Sequence, residues 1–336
     1  HLVPMLGVLR ALLAAGHEVS VATHPEFHPA LAALGLPAVP AGLAEAELHA
    51  ERLRRWPETA TRPPAEWGPR MFTEIAGPAL TADLHRMISG RPDVVVSEEG
   101  EHGGARFAAA RGLPFISHGW GSPLAAVPDA DRALAHIDPC PGSLTTTGWS
   151  GPPRWPVRLT TPRLAAADPE TLAWVAERTR PLVYAGFGTV PLYRDAPGLD
   201  AVVDALLAAD TDVLCTGPRP PFAHDRIRFT RFVSLPDVLP ACALVVCHGG
   251  AGTTLAALAH GRPLVVLPRG APSQQRMARA CAARGVAVVV EGTDPAAAIH
   301  AALGGEYARQ AAEVAREMAA APDPAEVVES LERALA

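Results

Sequence analysis

The sequence contains no lysine: all 29 basic side chains among its 336 residues are arginine. That excludes a Walker A phosphate loop and a pyridoxal phosphate enzyme, both of which need a lysine amine. No block of basic residues occurs and the formal net charge is −6, so neither nucleic acid nor an anionic membrane is an expected partner. No apolar run reaches the ~18 residues that would span a bilayer. Nothing resembles a signal peptide, although the chain begins at His1 rather than Met. The five cysteines, Cys140, Cys215, Cys242, Cys247 and Cys281, form no CxxC pair. Cys215, Cys242 and Cys247 lie in apolar segments, so a reduced, cytoplasmic protein without a zinc site is expected. The absence of GxGxxG weighs against a nicotinamide oxidoreductase, and the absence of GxSxG against a hydrolase with a nucleophile elbow.

What is present is ample hydrophobic material, 49% of the residues, in a chain long enough for two domains. In the first half, helical spacing at 5–16 is followed by a strand at 17–23 and a helix at 28–35. A buried strand at 92–99, a helix at 103–112 and a strand at 114–120 follow. The second half repeats the alternation: strands at 181–188, 212–217, 243–250, 263–268 and 286–290, with helices at 199–208, 252–261 and 274–285. Helical stretches at 295–320 and 324–335 finish the chain. Residues 231–240 read as a loop and short helix, and the Pro- and Gly-rich 148–163 as a linker. The expectation is an α/β protein with two Rossmann-like domains facing each other across a cleft, with ligands at the carboxyl ends of the strands.

The most informative stretch is CHGGAGTTLAALAHGRPLVVLP, Cys247–Pro268. A strand runs into HGGAGT and then into a helix, so the turn sits at a helix N-terminus, where unpaired N–H groups and the dipole favour a phosphate. Gly249, Gly250 and Gly252 allow close backbone approach, Thr253 or Thr254 offers a hydroxyl, and His248 adds a ring donor. Gly-rich turns of this kind also occur merely as tight turns. The histidine and paired threonines favour a diphosphate.

Together with GRPLVVLPRGAPSQQ, this stretch resembles the donor signature of nucleotide-sugar glycosyltransferases of the two-domain GT-B fold, family 1-like. The nearest are the bacterial enzymes that glycosylate antibiotics and other natural products. The resemblance implies an acceptor-binding domain over 1–160, a donor-binding domain over 161–322, and a C-terminal helix, 323–336, that returns to the first domain. It implies that His248, Gly249, Gly250, Gly252 and Thr253 hold the donor diphosphate, joined by Gly188 and Thr189. Phe232, Val233 (through its backbone) and Thr216 would meet the nucleotide base. Ser273 and Gln274 stand where the family carries Asp-Gln against sugar hydroxyls. Serine there removes a charged acceptor, which suits a deoxysugar.

The opening HLVPMLGVLRALLAAGHEVSVAT resembles the family's first loop and helix, which gives His1 the role of catalytic base. An imidazole pKa near ~6.5 suits a base that deprotonates an attacking hydroxyl. In VVVSEEGEHGG, Glu98 is the first choice to orient that base and Glu99 the second; both also read as ordinary strand-end carboxylates. Segments at 45–87 and 118–137 would wall an acceptor pocket. Trp67, Met71 and Trp120, with Trp56 and Phe72, are its candidate contacts, although core packing is the commoner use of such residues. The family has a strand ahead of the first loop and more chain between 123 and 138, so residues are expected to be missing from this sequence at both places.

The implied chemistry is an inverting, metal-independent hexosyl transfer with no cofactor beyond a nucleoside-diphosphate sugar as co-substrate, TDP-linked in this family. The implied partners are that donor and a hydrophobic acceptor, with a homodimer allowed. The Asp-x-Asp triplets at 129–131 and 210–212 read as turn or helix-end acids rather than a metal site. Two rivals share the fold: a nucleotide-sugar epimerase, which needs no acceptor pocket, and a non-catalytic partner that retains the scaffold without turnover.

Overall fold

Continuous apolar runs bounded by Gly or Pro form buried parallel strands, and the alanine-rich runs between them form the covering helices. In the computed structural model, the described residues are 2–124, 131–145, 148–160, 168–188, 199–217, 224–291 and 294–336. The first half contains α1 (Leu2–Ala14), β1 (Val21–Thr23), α2 (His28–Ala33), β2 (Ala38–Pro40), α3 (Glu45–Arg55), α4 (Pro64–Met71), α5 (Gly77–Met87), β3 (Val95–Glu98), α6 (His102–Arg111), β4 (Phe115–His118), β5 (His136–Asp138) and β6 (Arg154–Pro156). The second contains α7 (Pro169–Ala176), β7 (Leu182–Gly186), α8 (Leu199–Ala208), β8 (Asp212–Thr216), β9 (Ile227–Thr230), α9 (Leu235–Val238), β10 (Cys242–Cys247), α10 (Ala251–Ala259), β11 (Leu264–Val266), α11 (Pro272–Ala283), β12 (Ala287–Val289), α12 (Pro295–Ala302), α13 (Gly305–Ala320) and α14 (Pro324–Leu335).

The second-half sheet has six parallel strands in the order β12-β11-β10-β7-β8-β9. This is the doubly wound Rossmann order, and its topological switch point lies between β7 and β10, where a crevice opens at the carboxyl edge. Its two faces carry separate cores. One holds Val202, Leu206, Ile299 and Ala302 from α8 and α12. The other holds Leu255 and Leu258 of α10, Met277 and Cys281 of α11 and Val314 of α13. Cys140 and Leu144, from the first half, are buried in that second cluster.

The first-half sheet is parallel, in the order β3-β4-β5-β6, and β1 and β2 form a separate parallel pair. β6 lies inside the stretch read as a linker: Trp155 pairs in register with Ile137 although prolines flank the strand. β1 is shorter than expected because only Val21–Thr23 finds a partner strand. The boundary expected at 160 and 161 adjoins residues 161–167, which lie outside the described ones.

The C-terminal helix returns to the first half. A capping box fixes its start: Asp323 accepts from Ala325 N–H, and Glu326 accepts from Asp323 N–H. Its apolar face, Val327, Val328 and Leu331, is buried with Val8 and Leu12 of α1 and with Ile116 and Ile137 of β4 and β5. Arg158 holds the junction, pairing with Asp323 through its guanidinium and giving its backbone N–H to Pro322 O at 2.7 Å. No helix among the described residues is long and apolar enough to cross a membrane.

Leu331→Ala removes a side chain that is 3% exposed. It is expected to lower unfolding stability by about 2–4 kcal/mol in urea titration, whereas the exposed Arg333→Ala stays within about 0.5 kcal/mol of the parent.

Candidate active site

Strand register brings three loops to one edge. Gly186 pairs with Cys247, and Cys247 with Val266, so residues 187–188, 248–250 and 267–270 leave the sheet side by side. β10 ends at Cys247, and the chain turns through His248 and Gly249, at φ +83°, into α10, whose N-cap is Gly250. A side chain on Gly249 would be strained by that φ and would press on Gln274 O and Val266 at 3.0 Å. No side chain caps the helix. Gly252 is exposed and Thr253 half-buried, so the first turn, whose N–H groups have no partner within the helix, lies at the surface. Thr254 is buried, with its hydroxyl 3.8 Å from Cys247 Sγ, which leaves Thr253 as the threonine available to a ligand.

His248 is 8% exposed. Its ring fills the space beside Gly188, where a Cβ would meet Cε1 at 2.8 Å; Gly188 itself has φ +84°. Burial and then the positive charge of Arg269 lower the imidazole pKa to about 4, against the pull of the Gly186 backbone. His248 is therefore neutral at pH 7 and offers hydrogen bonding without net charge. Arg269 follows β11, with its guanidinium 4.5 Å over the Phe187 ring. Its backbone N–H donates to Gln274 Oε1 at 2.8 Å. Gln274 is 3% exposed and thus engaged in shaping this loop, with half-buried Ser273 beside it on the first turn of α11.

At the far end of the edge, Phe232 is 48% exposed and Val233 is buried. Thr230 donates to Phe232 O, which fixes the loop. Thr216 Oγ1 lies 2.7 Å from Tyr184 Oη. Phe232 is thus an exposed aromatic on the loop that follows β9.

The other half contributes the ends of β3 to β5. Glu98 Oε1 accepts from Gly100 N–H at 2.8 Å. The Trp120 indole lies against Gly100. Glu99, 5% exposed, accepts from the Trp120 backbone and lies 3.7 Å from His136 Nε2. Burial first, then the charges of Glu98 and Asp138, raise the Glu99 pKa to about 9, with Arg276 of α11 acting the other way. Glu99 is thus a neutral acid at pH 7. His118 and His136 are both lowered to about 4, chiefly by burial. Asp138 is raised by burial and paired with Arg154. Of these, Glu99 was named in the sequence as the second choice beside Glu98, whereas His118, His136, Asp138 and Arg269 were missed. The histidines of FISH and HID, at strand ends, were the available signal.

Other expected site residues fall elsewhere. Trp67 and Met71 are buried with Trp56 and Ile75; Trp67 gives its indole N–H to Arg62 O and stacks under Arg52. In this structure they build core, and half-exposed Trp120 is the aromatic at the sheet edge. His1 and Thr189 lie outside the described residues, as does Asp129. Asp210 is a turn residue that pairs with Arg180 and Arg226 at 3.0 and 3.1 Å.

Comparison with known proteins bears on this geometry. The models of the erythromycin biosynthesis protein CIII-like N-terminal and C-terminal domains match residues 10–141 and 200–334. An L-demethylnoviosyl transferase of Streptomyces niveus is 31% identical over 98% of this chain and 94% of its own length. The elloramycin glycosyltransferase of Streptomyces olivaceus is 32% identical over 99% of this chain and 94% of its own. The structure of a spinosyn rhamnosyltransferase complexed with thymidine diphosphate superposes with a TM-score of 0.79. It is 25% identical and covers 99% of this chain and 96% of that one.

Glu99 supplies a pH test. The folded chain keeps a proton that the unfolded chain releases above about pH 4.5, so stability falls as pH rises toward about 9. The slope is at most about 1.4 kcal/mol per pH unit. Glu99→Gln is expected to match the parent at pH 5 and to exceed it increasingly at pH 7 to 9, measured by urea unfolding at each pH. The histidines at about 4 act on the acid side, where stability is lost below their ordinary value of 6.5.

Proposed function

This chain belongs to the glycosyltransferases of antibiotic biosynthesis related to erythromycin biosynthesis protein CIII, and from that premise we propose its donor, its acceptor and its mechanism. The donor is a nucleoside-diphosphate sugar, TDP-linked and deoxygenated. The acceptor is a hydrophobic natural-product aglycone. The observation that carries this reading is the N-terminus of α10, capped by no side chain and exposed at Gly252, at the switch point of the six-stranded sheet. Amide groups there are preorganised toward a developing negative charge, an arrangement worth about 3 kcal/mol for a single donor.

In this scheme the diphosphate lies against His248, Gly249, Gly250, Gly252 and Thr253, with Gly188 opposite. The base stacks on Phe232 beside Val233 and Thr216, and the sugar lies toward Ser273 and Gln274. The acceptor hydroxyl approaches from the Trp120 side. His1 takes its proton and Glu98 orients His1. The hydroxyl oxygen attacks the anomeric carbon as the bond to the diphosphate oxygen breaks, so configuration inverts. Helix dipole and hydrogen bonds stabilise the leaving group, and no metal ion is needed for that role. The TDP-bound relative supports the choice of nucleotide, and serine at 273 supports a sugar with few hydroxyls.

Calorimetry with TDP and UDP side by side is expected to show tighter binding of TDP. Thr253→Val weakens TDP by about 1–3 kcal/mol, because a phosphate oxygen loses its partner; unchanged affinity would place the diphosphate elsewhere. His1→Ala is expected to abolish transfer to polycyclic or macrocyclic acceptors while TDP affinity is retained, and preserved turnover would remove His1 as base.

A further inference from the structure

We propose that Arg269 is the cation that faces the diphosphate of the donor and neutralises it as it departs. This inference rests on the donor reading above and extends it to a residue outside the glycine-rich turn. A nucleoside diphosphate carries more than one full negative charge. The N-terminus of α10 supplies the equivalent of about half an elementary charge. His248, lowered to about 4, supplies none at pH 7, and the chain has no lysine to add. A guanidinium at the same edge would supply positive charge that these groups do not.

Arg269 is placed for that task. It leaves β11, the strand next to β10, at the edge where α10 begins. Gln274 Oε1 fixes its backbone at 2.8 Å. The guanidinium lies 4.5 Å over Phe187, and the next residue, Gly188, is packed against the His248 ring. His248 feels the positive charge of Arg269 directly. Arg276, by contrast, acts on Glu99 in the other half of the molecule. A half-buried guanidinium in this position is poorly screened by water, so an anion beside it gains more than at an open surface. When the sugar–oxygen bond breaks, its electron pair stays on the diphosphate oxygen, and Arg269 stabilises the charge gathered there.

The test compares binding of thymidine, TMP and TDP to the parent protein, Arg269→Gln and Arg269→Lys by calorimetry, with transfer kinetics alongside. Arg269→Gln is expected to bind thymidine as the parent does and TDP about 10- to 100-fold more weakly, with kcat reduced by at least that factor; lysine restores part of both. Equal weakening of all three ligands would mean that Arg269 only packs on Phe187, and would overturn the proposal. TDP binding within twofold of the parent would overturn it too, while loss of TDP in Thr253→Val would leave the donor reading standing. If the parent itself bound TDP no better than thymidine, the donor reading would fail and this inference with it.

Discussion

The first turn of α10 carries backbone N–H groups that the helix cannot satisfy, and much of the molecule is arranged around leaving them accessible. β7 and β10 are neighbours in the sheet but their following helices lie on opposite faces, the arrangement that opens a crevice at the carboxyl edge of such a sheet, and α10 begins at that edge. Small residues keep it open: Gly188 accommodates the His248 ring, and Gly249 allows the chain to turn against Gln274 and Val266. A side chain at either place would strain the turn, because both glycines have positive φ and close neighbours.

Electrostatics in the two halves are complementary in kind. The six-stranded sheet presents dipoles and a guanidinium beside a histidine held neutral. The four-stranded sheet presents acids and histidines whose burial keeps many of them uncharged, Glu99 protonated and His118 and His136 deprotonated. Arg269 thus brings positive charge beside His248 in one half, while in the other the charges of Glu98 and Asp138 help burial to hold Glu99 protonated.

Much of this was legible in the sequence, for identifiable reasons. Parallel strands buried on both faces are written as unbroken apolar runs, so β7, β8, β10 and β11 were visible, as was the glycine-rich exit of β10. β6 and β9 were not. One is a Trp between prolines in a Gly-rich stretch and the other carries Arg228, because edge strands need only backbone partners. Strand alternation could place Glu98 and Glu99 on different sides but could not show which of them loses water. Arg269 was unreadable because its neighbours, Phe187 and His248, are distant in sequence and meet only through the strand order. The same patterning could not separate Trp67 and Met71, which pack inward, from Trp120 at the edge.

The return of α14 gives the molecule a mechanical property of its own. The chain passes between the halves twice, and Arg158 ties the outgoing passage to Pro322 and Asp323 on the way back. Two tethers fastened at one point act as a pivot rather than a loose string. They hold the halves together there and resist their sliding or separating. Cutting either strand of that tie would leave the other to hold the halves in register, so the fastening is redundant where the chain crosses.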